Sequence, residues 1–128
     1  MINVIDIIGK HLEAQGIGVY DEYALGGNIF AGKMCGKDNN QIVLQYRTTT
    51  SFLSGNNTIG NLTVRVYNRN YPQAVELLGR IESALANSIV AGSNGQVQIA
   101  PLTTIEDVDV SNQTELLCVQ SEYTTQII

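Results

Sequence analysis

Apolar and polar positions alternate through Leu62, Thr63, Val64, Arg65, Val66 and Tyr67, the period of a strand that buries one face. Just beyond, the period changes. Asn70 offers an N-cap oxygen, Gln73 stands where it can close a capping box, and Pro72 sits in the first turn, where its missing N–H breaks no intrahelical bond. Ala74, Leu77, Leu78, Ile81, Leu85 and Ile89 then form one apolar stripe, with Glu76, Arg80, Glu82 and Asn87 facing elsewhere. Residues 61–89 therefore predict strand, turn and helix.

The same reading extends along the chain. Asn3 predicts the N-cap of a short opening helix, with Asp6 in its first turn and Ile5, Ile8 and Leu12 on one face. Gly16 can take the left-handed conformation that stops it, and Gly9 weakens it by about 1 kcal/mol relative to Ala. Residues 17–20 and 28–34 are short strand candidates, separated by an acidic Asp-Glu-Tyr and a Gly26–Gly27 break. Residues 41–47 form another, with Ile42, Leu44 and Tyr46 alternating against Val43, Gln45 and Arg47. The segment from Thr48 to Asn61 has no convincing period and predicts a long loop, functional or mobile. After the helix, Ser93–Asn94–Gly95 turns into a strand at 96–103, residues 104–114 read as an acidic connection, and a final strand runs from about Glu115 to Gln126. The order predicts one α+β domain over residues 1–128: a mixed, largely antiparallel sheet with two main helices packed on one face.

Charge and cysteines narrow the function. A net charge of −5, with the seven basic residues scattered among twelve acids, argues against stable nucleic-acid binding. Cys35 and Cys118 form no C-x-x-C pair, and with His11 the single histidine no zinc set can be assembled from Cys and His. Asn3 and Asp6 interrupt any opening signal sequence, and no run of eighteen apolar residues predicts a membrane span. A reducing cytosol with free thiols is expected. The N-x-T sequons at Asn56, Asn61 and Asn112 are chance matches in an Asn-rich chain.

Candidate chemistry is thin. His11 has Lys10 and Glu13 nearby, but no Ser, Thr or Cys arrangement is suggested locally, and it reads as a surface or half-buried structural residue. Glu106, Asp107 and Asp109 are the densest acids. A calcium loop counted from Asp107 would need Gly and Glu where Asn112 and Cys118 stand, so the cluster reads as a solvated loop. The Gly26–Gly27 and Gly55–Asn56–Asn57 stretches lack phosphate-loop spacing and read as turns. No catalytic residue, cofactor site or metal site is expected. Two surfaces are. Arg47 and Arg65 share the phase opposite the apolar face, with Gln45, Thr63 and Tyr67; this face is either solvated or meets another subunit or a channel. Phe52 and Leu53, with Ser54, Gly55 and Asn56, form an apolar tip on a polar loop, which either folds back or docks a partner.

The strand LTVRVYN, turn RNY and helix PQAVELLGRIESAL together resemble the small minor capsid or tail terminator proteins of long-tailed phages, carried by Val66, Asn68, Tyr71 and Ala74. Tyr67 departs from that pattern, standing where Arg is frequent. The opening helix followed by the strand from Asn28 to Met34, and a closing strand near Tyr123, fit the same layout. The resemblance implies a non-enzymatic virion protein, assembled in the bacterial host cytoplasm. It would form a homo-oligomeric ring, commonly a hexamer, on the head-proximal end of the tail. The ring would contact the tail tube protein and the head connector, ending tube polymerisation and joining tail to head. Arg47, Arg65 and Tyr67 become the candidate subunit-interface or lumen face, and Phe52 to Asn56 the candidate docking loop. A ring of negative copies would let DNA pass without holding it. A neck or head-completion adaptor of the same virion region, and a small cytosolic ligand-binding module, are the alternatives.

Overall fold

The first helix, α1 (Val4–Ala14), starts where the Asn3 side chain accepts the Asp6 N–H at 3.1 Å. It stops at Gly16, whose φ of +75° lets its N–H reach the Glu13 carbonyl while the Ile17 N–H reaches that of Leu12. The computed structural model describes residues 3–20, 27–32, 40–49, 58–92, 95–108 and 116–128. Val4, Ile7, Ile8 and Leu12 are buried, a broader stripe than the predicted Ile5, Ile8 and Leu12, with Ile5 only partly buried. The width has a cause: α1 lies against β1 and β2 on one side and β4 on the other. Gly9 is required here, because a Cβ would run into the Tyr20 ring.

Six strands follow: β1 (Ile29–Ala31), β2 (Gln41–Thr49), β3 (Thr58–Asn68), β4 (Ser88–Gly92), β5 (Gly95–Val108) and β6 (Leu117–Ile127), with helix α2 (Tyr71–Leu85) between β3 and β4. They make one sheet in the order β1-β2-β3-β6-β5-β4, parallel at β1–β2 and antiparallel elsewhere. Both helices cover one face, so the fold is α+β as the sequence predicts. Because α1 touches strands from both ends of the order, the sheet curls around α2 with α1 between its arms.

Helix α2 begins at Asn70, whose side chain accepts the Gln73 N–H at 3.1 Å. The return arm differs from the predicted capping box: Asn70 donates its own N–H to Asn68 Oδ1 at 2.8 Å. Buried Asn68, the last residue of β3, thereby ties strand to helix. Ala74, Leu77, Leu78, Ile81 and Leu85 are buried as predicted. Ile89 is not part of that stripe. Asn87 takes φ +56° and Ser88 Oγ donates to the Leu85 carbonyl at 2.6 Å, so the chain turns into β4 and leaves Ile89 58% exposed.

β2, β3 and β5 outrun their predicted limits, whereas β1 is only Ile29–Ala31 within the predicted 28–34. The candidate at 17–20 supplies the single bridge of Tyr20 to Ile29, and β4 stands where the helix was expected to end. β2 and β3 pair as far as Thr49 with Ile59, into the segment predicted as loop; residues 50–57, including Phe52, Leu53, Ser54, Gly55 and Asn56, lie outside the described residues. β5 runs to Val108 through register shifts between Pro101 and Thr103 and between Thr103 and Glu106, replacing the first part of the expected acidic connection. One core joins both helices to the inner sheet face, through Ile8, Leu12, Leu44, Leu62, Leu78, Ile81, Val119 and Tyr123 among others.

Candidate functional site

Register places the predicted arginines. Val43 pairs with Arg65 and Arg47 with Asn61, so both guanidinium-bearing strands present them on the helix-free side. β6 adds Cys118, Gln120, Glu122, Thr124 and Gln126 to the same side, since Gln120 pairs with Arg65 and Glu122 with Thr63. The sequence reading missed these β6 residues. Their signal was the alternate phase of the closing strand, opposite Val119, Ser121 and Tyr123.

This face has two different ends. At one, Val43, Tyr67, Leu116 and Cys118 form a second buried apolar cluster, and Phe30, paired with Val43, is buried beside it. The expected wet face is therefore dry at that end. Tyr67 is only 8% exposed and packed within the cluster. Arg65 is half-buried at its margin and donates from Nε to Gln120 Oε1 at 3.1 Å. At the other end Arg47 is exposed, and Gln45, Tyr46, Arg47, Asn61, Thr63 and Glu122 line a polar concavity of about 260 Å³. Gln45 is held there by donating from Nε2 to the Gly32 carbonyl at 2.7 Å.

Burial pushes the Tyr67 hydroxyl above its ordinary value; neighbouring Cys118 adds to the rise and a hydrogen bond with Arg65 opposes it. Burial likewise raises the Cys118 thiol, with the Tyr67 hydrogen bond and the Arg65 charge opposing. Both groups keep their protons in the folded chain after an unfolded chain would have lost them. Stability is thus fully present below the ordinary thiol value of 9.0 and declines as pH rises through the folded-state values. Urea midpoints should hold steady up to about pH 8.5 and fall above it, and Cys118→Val should delay the onset of that fall. An identical alkaline profile in Cys118→Val would contradict this assignment.

The remaining candidates have structural roles. His11 Nε2 lies 3.3 Å from the Ala84 carbonyl, linking α1 to the end of α2; a carbonyl only accepts, so Nε2 carries the hydrogen in that contact. Asp107, paired in β5 with Val119, accepts from the Tyr71 hydroxyl at 2.7 Å. Asp109 and Gly26 lie outside the described residues. Among the described residues no group of three or more His, Cys, Asp and Glu is placed to hold a metal ion, and no helix is long and apolar enough to cross a membrane.

No protein-family model matches the sequence, and no curated protein matches it. Solved structures do. The chain superposes on one from the virion of a native gene transfer agent particle with a TM-score of 0.71 and 11% identity, covering 97% of this chain and 93% of that one. The shared property is the fold. A second solved chain superposes over 79% of each partner with a TM-score of 0.56 and 9% identity. Against the virion chain the likeness spans the layout from α1 to β6, and so includes the strand–turn–helix on which the phage resemblance rests.

Proposed function

We propose that this chain is a structural subunit of a phage-type virion. It caps the head-proximal end of the tail tube as a homo-oligomeric ring, commonly a hexamer, ends tail polymerisation and joins tail to head. The supporting observation is the fold likeness, over nearly the whole of both chains, to a component of a gene transfer agent virion. The strand–turn–helix at 61–89 adds the finer reading. The role is non-enzymatic, the partners are further copies, the tail tube protein and the head connector, and the protein resides in the virion after assembly in the host cytoplasm. A ligand-binding module is the second reading, favoured by a concavity of about 450 Å³ lined by Asn40, Asn68, Gln73, Glu76, Leu77 and Arg80. That volume lies within the ~300–1,000 Å³ of ordinary small-molecule sites, whereas the sheet-face concavity of about 260 Å³ falls below it.

Within this reading the tip Phe52, Leu53, Ser54, Gly55 and Asn56 docks onto tube or connector, and Arg47, Arg65 and Tyr67 belong to the lumen or interface side. Thr49 pairs with Ile59, so deleting Ser51–Asn57 leaves a two-residue connection of the kind that closes hairpins. Co-assembly with tube protein tests both levels. The intact chain should fix tube length, whereas the deletion should stay folded by circular dichroism and leave tubes overlong. Normal tube length with the deletion rejects the docking tip. Binding of the intact chain to the connector but not to tube ends selects the neck adaptor instead.

A further inference from the structure

Three stretches of sequence, residues 48–64, 83–105 and 123–128, contain no charged side chain; all seven basic and twelve acidic residues lie elsewhere. The fold brings their described parts together. On the helix-free side the register runs Ile89, Gln98, Gln126, Ile59 across four strands. The next row runs Ala100, Thr124, Asn61 and ends at exposed Arg47, which marks the limit of the uncharged surface. The Ile128 N–H bonds to the Gln96 carbonyl, opposite Ala91. Ile89 and Ile128, at 58% and 57% exposed, are the apolar points of this surface, and Gln96, Gln98, Ala91 and Ala100 are exposed beside them.

The surface ends at an open sheet edge. Among the described residues, β4 pairs with β5 and no further strand follows it in the sheet order. Edges left open in monomers are usually blunted by charge or proline. β4, Ser-Ile-Val-Ala-Gly, carries neither. The opposite edge is treated differently: the Asn28 and Ile29 N–H groups bond to the Val19 carbonyl, and Tyr20 bridges to Ile29 beside β1.

We propose that the uncharged sheet end, with edge strand β4 and exposed Ile89 at its rim, is the surface on which a second copy of this chain docks. The argument for a second copy is electrostatic. Each copy carries −5, so two copies repel over most of their surfaces and meet without that penalty only where neither is charged. A partner recruited by opposite charge would select the charged remainder of the molecule. The proposal rests on the ring reading and names the contact within it.

Ile89→Lys and, on β5, Gln98→Lys place a cation on this surface at exposed positions, so the fold should survive, as circular dichroism and the unfolding midpoint will report. Sedimentation velocity of the chain alone and of the chain with tube protein should show the wild type self-associating. Association should strengthen as NaCl rises from about 0.05 to 0.5 M, because salt screens repulsion between like-charged copies. Each substitution should weaken it about tenfold or more. Unchanged self-association in both folded variants overturns the proposal. So does a wild type that stays monomeric alone and on tubes, or association that salt weakens. Wild type that self-associates in this manner without binding tube ends would sink the capping reading and leave this contact standing.

Discussion

Ile81→Ala is expected to destabilise the protein by about 2–5 kcal/mol, against the ~5–15 kcal/mol that holds a domain folded. Ile81 is fully buried in the middle of the α2 stripe, between Leu78 and Leu85. α2 rests on β3 and β6 at the centre of the sheet and reaches β5 and β4, so a void at its midpoint has packed side chains on every side. Because the sheet curls around this helix, its walls close little of the space, and the expected value lies in the upper part of the range. Chemical unfolding of wild type and variant measures it; a loss below about 1 kcal/mol would show that the helix is held mainly by other contacts.

Tyr123→Ala should cost as much or more, about 3–5 kcal/mol, and Tyr123→Phe about 1–3 kcal/mol. Tyr123 is fully buried on the inner face of β6, paired with Leu62 of β3 and Pro101 of β5. Its hydroxyl accepts from Ser121 Oγ at 2.9 Å, and Ser121 is itself fully buried. The alanine variant removes a ring from the core; the phenylalanine variant keeps the ring and leaves the Ser121 hydroxyl without its partner. The double variant Tyr123→Phe/Ser121→Ala should recover most of the smaller loss, since removing both polar groups avoids an unpaired donor. Denaturation of the three variants checks the ordering, and equal losses in Tyr123→Phe and the double variant would discard the hydrogen-bond account.

Sequence was most legible where one signal controls one element. Asn3 and Gly16 bound α1, and the change of period at Asn70 separates β3 from α2. It was least legible where two patterns overlap. Ile89 falls four residues after Leu85, so helical spacing absorbs it, while the turn that breaks the helix is a single left-handed Asn87. β5 loses its alternation at two register shifts, and the ends of β2 and β3 are Thr, Gly and Asn apart from a lone Ile59, which hides the period of two. The candidate site was half visible: the shared phase of Arg47 and Arg65 follows from alternation, but the dry end does not. Val43 and Tyr67 sit on the phase taken as polar, and it is the pairing of Tyr67 with Cys118, together with Leu116, that completes a cluster.

The grip on α1 has a consequence for how the chain reaches its native state. Ile7 packs so closely on Gly92 that a Cβ there would lie 2.6 Å from Ile7 Cγ1, yet these residues are far apart in sequence. One wall of the α1 seat comes from β1 and β2 and the other from β4, which lies beyond α2 in the chain and joins the sheet only through β5 and β6. A helix whose Gly9 already lowers its intrinsic stability gains its full burial only when both walls are present. The first helix of the chain thus acts as its latch, and synthesis must reach β6, ending at Ile127, before that latch has both of its jambs.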